Sequence, residues 1–212
     1  MEDGLAVYER VYDPQFPVVC FDERPCVLHG QPVEPLLPMP AQPAQGERPA
    51  KVGRPRRESS TYVGQGTACL LVAFEPATGQ CLVEVSARRT GADYGRFMQA
   101  LAAAYPQAQK IVLVQDNLNP HPDAVFYQPL PAARARALAA RFEGHDTPKN
   151  ASWLHMSRTL RHRPPQRIPT QDELSAHVDT CVAERNAHRA TVNWQFTLDK
   201  ARDKLTRHYQ KV

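Results

Sequence analysis

The sequence predicts an α/β domain, a mixed sheet flanked by helices. Three observations carry that expectation. Apolar runs of strand type recur at "VVCFD" (18–22), "GTACLLVAF" (66–74), "QCLVEVS" (80–86) and "KIVLVQD" (110–116). Stretches with apolar residues at helical offsets lie between and after them. Two of the strand runs close on a carboxylate, Asp22 and Asp116.

The elements follow in chain order. Residues 17–22 read as a short strand. The segment 30–60 is irregular: seven prolines fall from Pro32 to Pro55 and no aromatic residue occurs between Phe21 and Tyr62. That composition cannot form a core and reads as an extended or mobile insertion. The runs 66–74 and 80–86 are joined by "EPATGQ", whose turn chemistry predicts a hairpin. From Ala92 to Tyr105, apolar Tyr94, Phe97, Met98, Leu101 and Tyr105 share a helical face, and Pro106 ends the run. "KIVLVQD" is continuously apolar up to its polar end, the mark of a central strand buried on both faces. An alanine-rich helix is expected at about 131–142 and a weaker strand at 141–147. "TQDE" (170–173) fits a capping box with Thr170 as N-cap, opening a helix through Leu174, Val178 and Val182. A last helix starts near Thr197, with Leu198, Ala201, Leu205 and Tyr209 on one side.

This order of elements resembles the ribonuclease H-like fold, an α/β mixed sheet flanked by helices, here with a Pro-rich insertion after the first strand. In that fold the first and fourth strands are neighbours, so Asp22 and Asp116 would meet. Two adjacent carboxylates repel unless a cation neutralises them. Carboxylate and water ligands suit Mg²⁺ or Mn²⁺ rather than zinc, and such ions support phosphoryl transfer. An acid at a strand end also serves as a turn residue or helix cap, and the two acids alone leave both readings open.

Composition bounds the rest. The chain has 212 residues, 42% of them hydrophobic, enough for a sizeable core. No run approaches the roughly 18 apolar residues of a membrane helix, and the acidic, mixed start "MEDGLAVYERVYD" is no secretory signal. Five cysteines without a C-x-x-C pair suggest neither a disulfide framework nor a zinc ribbon, so a reduced, cytoplasmic protein is expected. A formal charge of +4 is compatible with a nucleic-acid partner without establishing one. "GRPRR" (53–57) contains a Gly-Arg-Pro-Arg core like that of an AT-hook, which would lay Arg54, Arg56 and Arg57 along DNA; a solvated linker is the other reading.

"VVCFDERP" (18–25), "KIVLVQDNLNPH" (110–121) and "TPKNASWL" (147–154), in this order and spacing, resemble the catalytic domain of DDE transposases. Their bacterial insertion-sequence group related to Tc/mariner is the group meant. "GQGTACL" (64–70), "VEVSARRTGADYGRFM" (83–98) and "AERNAHRATVNWQFT" (183–197) add to the likeness. The resemblance implies a three-acid site holding two Mg²⁺ (or Mn²⁺) ions for DNA strand cleavage and transfer. The first acid falls on Asp22 and the second on Asp116; Asn117, Asn119 and His121 follow in the loop beside it. Lys149 and Trp153 fall in the motif T-P-K-H-x-S-W-L-N and would touch DNA or shape the loop. The implied partners are double-stranded DNA at transposon ends, a second copy of the chain, or an intact transposase.

The departures are specific. The motif continues N-x-x-E in the family, the glutamate being the third acid; here that place is Arg158, and no carboxylate occurs between Ser157 and Ile168. Asn150 stands for the motif histidine and His155 for its asparagine. A deletion of about two helical turns accounts for the change, and impaired strand transfer is expected. Residues 1–16 form a lead-in too short for a helix-turn-helix module, so the domain is expected at 17–212, as half of a split element or a truncated remnant. The rival expectation is a catalytically inactive DNA-binding or oligomerising remnant.

Overall fold

The computed structural model describes residues 2–43, 51–57, 61–116, 123–148, 156 and 167–204. A five-stranded mixed sheet forms its centre, in the order β3-β2-β1-β4-β5. The strands are β1 (Val18–Gly30), β2 (Val63–Phe74), β3 (Cys81–Ser86), β4 (Ile111–Asp116) and β5 (Phe142–Thr147). β1, β2 and β3 form an antiparallel meander; β4 runs parallel to β1, and β5 parallel to β4. The helices are α1 (Glu2–Tyr8), α2 (Gly91–Ala104), α3 (Ala132–Ala139), α4 (Gln171–His188) and α5 (Leu198–Lys204), with a 3₁₀ turn at Asp123–Tyr127. This is the ribonuclease H-like arrangement that the element order predicts, with β1 and β4 side by side.

Period-two alternation assigns each strand residue to one of two faces. On the first face Val19, Phe21, Leu71, Ala73, Ile111 and Leu113 pack under α2 and α3. Tyr94, Phe97, Met98 and Leu101 of α2 are all buried there, each contributing about 1.5–3 kcal/mol of apolar transfer free energy. Thr90 opens α2 with a full capping box, its hydroxyl accepting from Asp93 N and the Asp93 carboxylate accepting from Thr90 N. On the second face Cys20, Val112 and Val114 meet Val7 of α1 and Met156, while Leu28 and Ala68 meet Leu174 and Val178 of α4. β4 is therefore covered on both sides, which explains its unbroken "IVLV".

Three elements differ from the sequence reading. β1 does not end at Asp22 but runs on to Gly30, because β2 pairs with it from Cys20 to Gly30 and supplies partners beyond the end of β4. Pro25 is tolerated for a geometric reason. Pro17 O accepts from Val112 N at 2.9 Å, so odd-numbered residues here turn their backbone groups toward β4. At Pro25, β4 has already ended, and the missing N–H costs no ladder bond. Second, Thr170 does cap α4 by accepting from Glu173 N at 3.2 Å. The Glu173 carboxylate, however, takes the Thr170 hydroxyl at 3.2 Å. Third, α1 lies within residues 1–16, a segment that the sequence marks only as a lead-in; its Leu5 and Val7 are buried on the second face.

Part of the proline-rich insertion is a two-stranded arm. Leu36 bridges Arg57, Met39 bridges Arg54, and Gln42 bridges Lys51, all antiparallel. Each pair exchanges both backbone hydrogen bonds, at 2.8–3.1 Å. The three-residue interval is that of polyproline II, and Pro35, Pro38, Pro40 and Pro43 fall on positions that need no donor. The strands approach so closely at Gly53 that a Cβ there would stand 2.9 Å from Ala41 N.

Candidate functional site

The parallel pairing of β1 with β4 ends at Phe21 beside Gln115. The next residue on each strand is an acid, Asp22 and Asp116. Both alternate with second-face residues, Cys20 and Val114, so the two carboxylates share one level and one face of the sheet. Hydrophobic strands hold them there: Cys20 and Phe21 before Asp22 and residues 111–114 of β4 are buried in the core, and the two acids follow directly where the pairing of β1 with β4 ends.

Each acid has a partner. Arg24, two residues along β1 on the same face, donates from Nε to Asp22 Oδ2 at 3.2 Å. The Asp22 side chain is 12% exposed and that of Arg24 is 26% exposed, so the pair sits at the rim of the fold rather than in bulk water. Asp116 pairs in register with Thr147 of β5, and the buried Thr147 hydroxyl donates to Asp116 Oδ1 at 3.4 Å. Met156, in the stretch where the resemblance looks for the third acid, is buried against Cys20, Val112 and Val114 on this face.

Two hard oxygen donors at one level fit the chemistry of Mg²⁺ or Mn²⁺. Asp22 and Asp116 are the residues that could hold such an ion. Among the described residues, no group of three or more His, Cys, Asp or Glu side chains is placed to hold a metal. Asp146 does not join them: it lies on the opposite face of β5, where its Oδ1 accepts from Gln115 Nε2 at 3.1 Å. A cleft of about 540 Å³ lined by Tyr8, Tyr12, Phe16, Pro76, Met156 and Trp194 opens elsewhere, toward the start of β1, and neither aspartate lines it.

The other residues singled out in the sequence are spread more widely. Arg54, Arg56 and Arg57 are exposed on the second strand of the arm. Asn117, Asn119, His121, Lys149, Trp153 and Arg158 lie outside the described residues. Trp194 packs on Tyr8, with ring centroids 4.9 Å apart, and on Phe196. Sequence reasoning missed Arg24 and Thr147. Arg24 was within reach of it, since residues i and i+2 of a strand share a face; Thr147 needed the register of β5 against β4.

The model of the DDE superfamily endonuclease family matches residues 38–161, more than half of the chain. The chain belongs to the DDE superfamily endonuclease family. The match includes Asp116 and begins beyond Asp22. Among solved structures, a crystal structure of the mariner Mos1 paired end complex with Mg is similar at 17% identity and a TM-score of 0.41, covering 88% of this chain. The chain spans 55% of the length of that one. No curated protein matches.

Proposed function

We propose that this chain is the catalytic domain of a transposase, acting in metal-dependent DNA strand cleavage and transfer. The observation that carries the reading is the placement of Asp22 and Asp116, each one residue beyond the β1–β4 pairing, at one level and face of a ribonuclease H-like sheet, in a chain of the DDE superfamily endonuclease family. In this reading the domain covers residues 17–212, and Asp22 and Asp116 hold Mg²⁺ or Mn²⁺. Bound there, the ion would activate a water and stabilise the leaving oxygen of a phosphodiester. Strands β1 and β4 fix the two carboxylates relative to each other, Thr147 steadies Asp116, and in the ion-free protein Arg24 neutralises Asp22. The substrate is double-stranded DNA at transposon ends, held in part by Arg54, Arg56 and Arg57 of the arm and by Asn119, His121, Lys149 and Trp153. A second copy of the chain or an intact transposase is the protein partner, and the cytoplasm is the site of action.

This copy is impaired, because Arg158 stands where the resemblance expects the third acid. One observation favours a second reading, a catalytically inactive DNA-binding or oligomerising remnant. Among the described residues only the two aspartates gather at the site, and one of them is already paired with an arginine. Calorimetric titration with Mg²⁺ or Mn²⁺ separates the two. The first reading expects a heat of binding that either Asp22→Asn or Asp116→Asn abolishes, and cleavage of terminal-repeat DNA is then assayed. A folded chain with no aspartate-dependent binding establishes the remnant.

A further inference from the structure

We infer that Arg24 is a built-in competitor for the metal: its guanidinium occupies Asp22 in the ion-free protein and must leave before a divalent cation binds. The inference rests on the two-aspartate reading above and names what regulates that site.

The geometry is local and specific. Arg24 and Asp22 are neighbours on one face of one strand, about 7 Å apart along it, and Nε lies 3.2 Å from Oδ2. No loop has to move for the contact to form, so the arginine stands at a high local concentration beside its acid. Its backbone is fixed by what surrounds it. Arg24 pairs in register with Leu70, and the next residues on its face, Cys26 and Leu28, pack into the apolar cluster of α4. With the backbone held, the guanidinium lies on Asp22 in the ion-free protein and swings away from it when the ion binds.

Two effects make the contact antagonistic to a metal. The guanidinium takes lone-pair directions of the oxygen that a cation would coordinate. A positive charge within several ångströms of a divalent ion also repels it, at a rim where water screens only in part. The contact of Asp116 with Thr147 is of another kind, a neutral hydroxyl at a long 3.4 Å. The two aspartates are therefore unequal: an ion reaching Asp116 displaces a hydroxyl, whereas at Asp22 it displaces another cation.

The test is a calorimetric titration with Mn²⁺ of the whole chain, Arg24→Gln, Arg24→Lys, and Arg24→Gln combined with Asp22→Asn. Arg24→Gln should bind roughly two- to fivefold more tightly, the scale of one partly screened ion pair. Arg24→Lys keeps the charge and should stay near the parent, and the double variant should lose binding. Unchanged or weaker binding by Arg24→Gln, with aspartate-dependent binding present in the parent, overturns the inference and leaves the two-aspartate site standing. Absence of aspartate-dependent binding in every folded variant overturns both. A second readout needs no variant: in a Mg²⁺ titration followed by NMR, the Arg24 Nε–Hε resonance should move toward that of a solvated arginine with the midpoint of binding. A resonance that stays in place while the ion binds overturns the inference.

Discussion

Asp22 and Asp116 stand side by side, each directly after the last residue by which β1 and β4 pair with each other, yet they are not electrostatically equivalent. Arg24 compensates the charge of Asp22, while Asp116 receives a neutral hydroxyl from Thr147. Neutralising one member of a like-charged pair relieves repulsion, but what is left behind differs. After Asp116→Asn, the amide oxygen still accepts from Thr147. Asp22→Asn deprives Arg24, whose side chain is only 26% exposed, of this carboxylate. Without metal, Asp116→Asn should therefore be as stable as the parent or up to about 1 kcal/mol more stable, and Asp22→Asn about 1 kcal/mol below Asp116→Asn. Urea unfolding at neutral pH with a chelator present measures both. Equal losses in the two variants would show that repulsion between the acids is not the governing effect.

Helix α1 is tied to β5 by a cluster of charged groups. His145 Nδ1 lies 2.8 Å from Asp3 Oδ2 and Nε2 lies 2.9 Å from Glu143 Oε1. Arg10 also reaches Glu143, at 3.0 Å. The hydrogen bond from His145, then that from Arg10, holds the Glu143 carboxyl below its ordinary value of 4.5. A carboxylate whose pKa is lower folded than unfolded contributes stability that is complete above the unfolded value. That stability is lost as pH falls through the folded one. Glu143→Gln should thus lower stability at pH 7 and narrow the difference from the parent as pH drops below 4.5. Denaturation curves at neutral pH and in mild acid read this, and a constant difference would exclude a role for the Glu143 charge.

Much of this is legible in the sequence because the signals are local. The continuous "IVLV" of β4, the helical offsets from Tyr94 to Leu101 and the Thr170 cap each depend on a few neighbouring residues, and each has its element in the structure. "DERP" looks like a strand stop, whereas the continuation of β1 through it depends on β2, a partner far along the chain. The arm is hidden for a similar reason. Its backbone bonds pair residues at intervals of three, a period that neither the strand nor the helix pattern samples. Helix α1 has only seven residues, and Leu5 and Val7 declare their burial only once the second face of the sheet exists to receive them. Within the site, position marks the two aspartates but not their inequality, which arises from side chains that meet them in space.

The edge strand β3 packs on α4 through Val83 and Val85, and one α4 side chain also ties down its first residue. Asn186 Oδ1 accepts from Cys81 N at 2.8 Å and its Nδ2 donates to Cys81 O at 2.9 Å, so one amide satisfies both backbone groups. Nearby, Gly79 has φ +77°, and a Cβ there would stand 2.7 Å from Arg189 C and 2.9 Å from Ala190 N. Backbone strain and collision with backbone act together at this glycine. Gly79→Ala should cost about 2 kcal/mol or more, and Asn186→Ala about 1–3 kcal/mol by leaving the Cys81 groups without the amide. Thermal unfolding checks both. A Gly79→Ala variant as stable as the parent would mean that the contact between this turn and the end of α4 gives way freely.

The arm presents its basic residues in a row. Lys51, Arg54 and Arg57 recur every third residue and lie opposite Gln42, Met39 and Leu36. In polyproline II, residues three apart share a side, with about 9 Å between successive positions, so the cations form a line rather than a cluster. If that line follows a DNA backbone, each arginine releases counterions on binding, and the salt dependence should count them: log K falls with log salt by about 0.9 for each phosphate contact. Arg54→Ala and Arg57→Ala should each weaken binding to duplex DNA severalfold at low salt and make the slope shallower by about one. The folded core should be unaffected, since both side chains are exposed. Gly53→Val serves as the geometric control. It keeps every charge but drives a side chain into the backbone of Ala41 and Met39, so it should weaken DNA binding only if the arm must hold the cations in line. Fluorescence anisotropy with A·T-rich and G·C-rich duplexes over a series of salt concentrations supplies the slopes. A preference for the A·T-rich duplex that vanishes in Arg54→Ala would assign minor-groove contact to that arginine. Identical slopes in the parent and both arginine variants would remove the arm from the DNA interface.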